Sequence, residues 1–120
     1  MKVIIADDHG MIRAVLAELF EELGSTVIEA STGEEAVSVY GDVRPDWVVM
    51  DIRMPGYGGL EATSRILKHD HRARIVVMSQ EDGKEAVEAA RDAGAAFFVA
   101  KDRLVEIPRL IIEAPIPQMV

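Results

Sequence analysis

Four short apolar runs, VIIA (3–6), WVVM (47–50), IVVM (75–78) and FFVA (97–100), alternate with longer stretches whose apolar positions recur at helical spacing. Runs that are apolar at every position predict strands buried on both faces, as in a parallel sheet. Between Gly10 and Leu23, the residues Met11, Ile12, Val15, Leu16, Leu19, Phe20 and Leu23 form one helical face, with Glu18, Glu21 and Glu22 outside it and Gly24 as a stop. Ser25 to Ala30 is a further strand. Glu35 stands three residues after Thr32, the spacing of a capping box, and opens a helix that runs to about Tyr40 and ends at Gly41–Asp42. The strand WVVM exits into a loop holding Pro55, Gly56, Gly58 and Gly59, followed by a helix from about Leu60 to Lys68. Strand Arg74–Met78, helix Lys84–Ala93 (opened by Asp82–Gly83, stopped by Gly94) and strand Ala95–Ala100 complete the alternation. The last helix starts near Ile107, so that Pro108 lies in its first turn, where a missing N–H costs little, and Pro115 and Pro117 end it.

Five strands alternating with five helices predict a doubly wound α/β fold, a parallel sheet between two helical layers. At 120 residues the chain reads as one domain over residues 1–114 with a short apolar tail, 115–120.

The ends of the strands carry the chemistry. Asp7 and Asp8 follow the first, Asp51 the third, Ser79 the fourth and Lys101 the fifth. Open α/β sheets bind ligands beyond the carboxyl ends of their strands, where the strand order reverses. One rim therefore gathers three carboxylates, a hydroxyl and an ammonium, the outline of a metal and phosphoryl site. Crowded carboxylates repel, and a divalent cation relieves the repulsion; oxygen ligands with no thiolate suit Mg²⁺.

Charge and composition narrow the classes. Thirteen basic against 21 acidic side chains give a net charge of −8, which opposes direct nucleic-acid binding. No apolar run approaches the roughly 20 residues of a membrane helix. MKVIIADDHG places two acids where an export signal is still apolar, which points to the cytoplasm. The absence of cysteine excludes disulfides and thiol catalysis. His9 beside the acids is a candidate ligand or phosphorylation site, but at a helix start it reads rather as polar filler near the site; His69 and His71 read as parts of a basic loop, and Trp47 as buried structure.

The pattern resembles the receiver domain of two-component response regulators across residues 2 to about 113. The residues that carry the likeness are Asp7–Asp8, Asp51, Met54–Pro55 with Gly59, Ser79, and Phe98 with Lys101. ADDH (6–9) and Lys101–Asp102 are most similar to receivers of LuxR-like regulators. The resemblance implies a flavodoxin-like sheet of order 2-1-3-4-5 and phosphorylation of Asp51 by a histidine kinase or phosphotransfer domain that docks near the first helix. It implies Mg²⁺ held by Asp8, Asp51 and the Arg53 backbone carbonyl, with Asp7 acting through water. Lys101 neutralises the phosphoryl group, Ser79 hydrogen-bonds it, and Phe98 turns inward as Ser79 moves. The switched face, built from the fourth helix, fifth strand and fifth helix, meets an output partner and can support a phosphorylation-dependent homodimer. Such a protein is a signalling domain acting on itself, not an enzyme in the usual sense.

Two positions depart from the family. Asp102 replaces the proline that often follows the lysine in a cis bond; a non-proline cis bond costs about 3 kcal/mol, so the bond is predicted trans, with Asp102 as a capping residue. Gln80 stands where a small residue is usual, and with Arg53 it is placed to modulate phosphoryl lifetime. The alternatives are an unphosphorylated pseudo-receiver and an aspartate-nucleophile phosphatase, which wants a second acid where Arg53 stands. A dinucleotide-binding domain is opposed by Asp8-His9-Gly10 in place of a glycine-rich turn.

Overall fold

A computed structural model describes residues 1–81 and 83–113; the predicted tail, Pro115, Pro117 and the part of Asp82 in opening a helix lie outside the described residues. The apolar runs form strands β1 (Lys2–Ala6), β2 (Thr26–Ala30), β3 (Trp47–Asp51), β4 (Ile75–Ser79) and β5 (Phe97–Ala100). The periodic stretches form α1 (Gly10–Glu22), α2 (Gly33–Val43), α3 (Gly58–His69), α4 (Lys84–Ala93) and α5 (Ile107–Glu113). All strand pairs are parallel and the order is β2-β1-β3-β4-β5.

Side chains alternate across a strand, so each central strand feeds two cores. Ile4, Val48, Met50, Ile75 and Val77 pack with Ala36 and Tyr40 of α2, Ala62 and Ile66 of α3 and Ala90 of α4. Val3, Ile5, Val49, Val76 and Met78 face the other way, onto Leu16 and Phe20 of α1 and Ile107 and Ile111 of α5. This is why β3 and β4 are buried at every position and apolar up to their last residues, Asp51 and Ser79. Trp47 is buried as predicted, its ring stacked on Phe97 at 5.9 Å between centroids.

The boundaries shift where a helix end claims backbone that the pattern assigns to a strand. The Ser25 N–H closes α1 on Phe20, and the Ala95 N–H closes α4 on Ala90, so β2 and β5 begin later than predicted. Helix α2 passes through Gly41 and Asp42 and stops at Arg44, whose left-handed φ of 51° and N–H to the Tyr40 carbonyl form the cap. Tertiary anchoring overrides the local breaker: Tyr40 is buried and its hydroxyl donates to Asp70 at 2.7 Å. The capping box holds, with the Glu35 N–H on Thr32 Oγ1 at 3.0 Å, although the Glu35 carboxylate reaches back to the Ser31 N–H instead of to Thr32.

Helix α5 begins at Ile107 with Pro108 in its first turn, as predicted. Before it, residues Lys101–Glu106 coil as an unforeseen 3₁₀ segment. Asp102 lies within this segment and does not cap it, since the capping position belongs to Ala100. Every peptide bond among the described residues is trans.

Candidate functional site

Register brings the site together. Ala6 pairs with Met50, so the residues that follow, Asp7 and Asp51, leave adjacent strands side by side. Asp51 pairs with Met78, and Ser79 with Ala100, which places Lys101 one residue beyond Ser79 on the same rim. All four are buried although polar: Asp7 is 0% exposed, Asp51 2%, Ser79 4% and Lys101 9%.

Lys101 Nζ sits 3.0 Å from Asp7 Oδ2 and 3.1 Å from Asp51 Oδ2. The ammonium is the one group that meets either oxygen among the described residues, so each of these buried oxygens keeps acceptor capacity unused. Burial, with Asp7 adding repulsion, raises the Asp51 carboxyl above its ordinary range; the Lys101 contacts and the Arg53 backbone oppose this and lose. Burial alone would lower the Lys101 ammonium, but its contacts with Asp7 and Asp51 together outweigh that and hold it high. One ammonium thus faces two buried carboxylates, and the site has room for more positive charge.

Asp8 is exposed beside them, as is His9. One ligand atom from each of Asp7, Asp8, His9 and Asp51 lies within 4.8 Å of the others. Two buried carboxylates sharing one ammonium, next to an exposed carboxylate, fit a hard divalent cation. The β1–α1 turn is fixed from inside: Asp7 Oδ1 accepts the His9 N–H at 2.8 Å, and Arg13 Nη1 donates to the Asp7 carbonyl at 2.6 Å. His9 Nδ1 lies 3.1 Å from both Asp7 Oδ1 and Asp8 Oδ1. Sequence reading left His9 as filler and missed Arg13, although residues 9 and 13 stand one helical turn apart.

Beyond Asp51 the chain turns tightly. A Cβ on Gly59 would meet the Asp51 carbonyl oxygen at 1.8 Å, so only glycine allows α3 to start there, two residues earlier than predicted. Gly56, at φ 83°, lies under the Glu34 carboxylate, which accepts the Tyr57 N–H at 3.1 Å and ties this loop to α2. On the neighbouring loop, Ser79 Oγ accepts the Glu81 N–H at 3.0 Å, which keeps its O–H as a donor. Gln80 is exposed next to it. Arg53 pairs with Glu81, joining the loops after β3 and β4.

Phe98 is half-buried on β5 and helps line a groove of about 820 Å³ with Val87, Val99, Val105 and Leu110. This groove lies apart from the carboxylates, on the face of α4, β5 and α5. His69 and His71 are exposed and remote from the rim in sequence. No described helix is long and apolar enough to cross a membrane.

A doubly wound sheet of this order, with acidic residues at its switch point and a lysine across from them, places the chain in the receiver class. Residues 3–111 match the model of the response regulator receiver domain, and the chain belongs to that family. Transcriptional regulatory protein PdtaR of Mycobacterium tuberculosis is 41% identical over 101 residues, 83% of this chain and 49% of PdtaR, so the chain spans about half the length of that relative. Chemotaxis protein CheY of Thermotoga maritima is 39% identical over 101 residues, 83% of this chain and 84% of its own. The CheX–CheY–BeF₃–Mg²⁺ complex of Borrelia burgdorferi superposes with a TM-score of 0.84 at 26% identity, over 96% of this chain and 90% of the other.

Proposed function

We propose that this chain is a working phosphoaspartate receiver: it takes a phosphoryl group onto Asp51 from a phosphohistidine and changes a partner-binding face in response. The observation that carries this reading is the single Lys101 ammonium held between buried oxygens of Asp7 and Asp51. An Asp51 oxygen attacks phosphorus, the phosphorus–nitrogen bond breaks, and the electron pair leaves with the donor's imidazole. The product is an acyl phosphate on Asp51, which water later cleaves.

Catalysis here is positioning and charge neutralisation. Lys101, already at the acceptor oxygen, offsets charge on the incoming phosphoryl group as a point cation. Asp8, Asp51 and the Arg53 carbonyl would hold Mg²⁺, with Asp7 acting through water. The ion supplies neutralisation of the phosphoryl oxygens and brings the acids together. Ser79 keeps its oxygen on the Glu81 N–H and offers its hydrogen to the phosphoryl group. Drawing Ser79 inward shifts the loop after β4 and frees space for Phe98, so that the groove on α4, β5 and α5 differs between the two states.

The domain is residues 1–114, its chemistry is performed on itself, and its setting is the cytoplasm. Its partners are a histidine kinase or phosphotransfer protein and an output protein or domain, with a phosphorylation-dependent homodimer as one form of output. The CheY in the Borrelia burgdorferi complex is described with BeF₃ and Mg²⁺, which supports the assignment by likeness. Intact-mass measurement after incubation with acetyl phosphate and Mg²⁺ tests the reading. A phosphoryl gain in the parent that disappears with EDTA and in Asp51→Asn is expected. No gain under any condition would make the chain a pseudo-receiver, an interaction module with a silent site.

A further inference from the structure

We infer that His9 supplies an imidazole donor to the acidic cluster and widens its metal choice from Mg²⁺ to borderline transition-metal dications such as Ni²⁺ and Zn²⁺. This rests on the reading of the cluster as a divalent-cation site. His9 Nδ1 is equidistant from two carboxylate oxygens, 3.1 Å from Asp7 Oδ1 and 3.1 Å from Asp8 Oδ1. An N–H there would be split between the two oxygens as a bifurcated bond, whereas a cation on the nitrogen lone pair would serve both carboxylates in full. As a ligand the imidazole would carry its proton on Nε2 and present the Nδ1 lone pair to the metal.

Two further observations point to a ligand. Asp7 Oδ2 and Asp51 Oδ2 are buried beside this cluster and share a single ammonium, Lys101, among the described residues, which leaves the acids short of positive charge. The backbone of His9 is pinned while its side chain stays 59% exposed: its N–H is on Asp7 Oδ1 at 2.8 Å and its carbonyl accepts the Arg13 N–H at 3.1 Å. The nitrogen is therefore held next to the acids and is still reachable from solvent.

Carboxylates and carbonyls alone favour Mg²⁺. Adding one imidazole changes the preference, because nitrogen donors strengthen binding along the series that rises through Ni²⁺ and Cu²⁺ and leaves Mg²⁺ little affected. A transition-metal ion in this position would occupy the Asp51 carboxylate and compete with Mg²⁺ for the phosphoacceptor. Glu29, the remaining acid close to this turn, is already paired with Arg13 at 3.0 Å and is not needed in the donor set.

Titration calorimetry with NiCl₂ and separately with MgCl₂ tests this on the full chain. A background of His69→Asn and His71→Asn removes the other imidazoles, and His9→Asn and Asp8→Asn are compared in it. The expected result is Ni²⁺ affinity that falls about tenfold or more in His9→Asn while Mg²⁺ affinity is preserved, and loss of both metals in Asp8→Asn. Unchanged Ni²⁺ affinity in His9→Asn would overturn the inference and leave the Mg²⁺ site standing. An equal fall for both metals would also overturn it, showing that His9 only arranges the acids. Failure of the parent to bind either metal would sink the cation site itself.

Discussion

The Lys101 ammonium lies 3.1 Å from Asp51 Oδ2, with both side chains almost fully buried, and it shares its charge with Asp7 at 3.0 Å. Removing the cation leaves two buried carboxylates facing each other. Lys101→Met is therefore expected to destabilise the fold by about 2–3 kcal/mol, less than a fully dry pair because the rim opens to solvent. Its phosphorylation rate should fall on the order of 100-fold, the scale of losing one preorganised charge partner. Asp51→Asn added to Lys101→Met should recover part of the stability in urea unfolding; strict additivity of the two changes would contradict the pairing.

The raised Asp51 carboxyl has a signed consequence for stability. A folded-state value above the unfolded one means that folding favours the protonated acid. The ionised Asp51 thus weighs against the fold once pH rises through its folded value, and the fold is relieved below the unfolded value. Asp51→Asn should be more stable than the parent at neutral pH without metal, and the gap should shrink toward low pH. Urea midpoints measured across that range check it, and a gap that widens on acidification would be the wrong sign.

Tyr40 and Asp70 join α2 to the end of α3 through a 2.7 Å hydrogen bond. Burial first, and then this contact, push the phenol well above its ordinary value, so it remains a donor at neutral pH. The same hydroxyl holds Asp70 below the usual carboxylate range, against the opposing effect of burial. Tyr40→Phe is expected to cost about 1 kcal/mol at pH 7, allowing for the exposure of Asp70. Because the Asp70 value is depressed, its contribution is present above the unfolded pKa of roughly 3.9 and is lost as pH falls through the folded value. The parent and Tyr40→Phe should therefore converge at low pH in thermal unfolding.

Gln80 stands exposed beside buried Ser79, on the loop that Arg53 and Glu81 tie to the loop after Asp51. A long amide there is expected to restrict the approach of water to Asp51. Gln80→Ala should shorten the lifetime of the acyl phosphate several-fold, followed as decay of the phosphorylated species by mass spectrometry. Equal decay in the two proteins would remove Gln80 from the account.

The strands and the acids at their ends were legible because a buried parallel strand writes itself as an unbroken apolar run. The five strands and five helices, the trans bond at Asp102 and the start of α5 follow from such local rules. What escaped was set by contacts across the chain. Gly41 looks like a stop until Tyr40 is anchored on Asp70, 30 residues away. The Glu34–Tyr57 and Arg53–Glu81 contacts join loops that only the strand order brings together, and no spacing within either segment encodes them. The geometry of His9 is likewise beyond local rules: its neighbours are visible in the sequence, but a bare Asp-Asp-His cannot show that one nitrogen reaches both carboxylates.

The central claim is that Asp51 carries the phosphoryl group. Borohydride reduces an acyl phosphate on aspartate to homoserine, which peptide mass spectrometry locates by residue. After treatment with acetyl phosphate and Mg²⁺, homoserine is predicted at position 51, with Asp7 and Asp8 unmodified. Homoserine at Asp7 or Asp8 in place of Asp51, or at none of the three, would contradict the account.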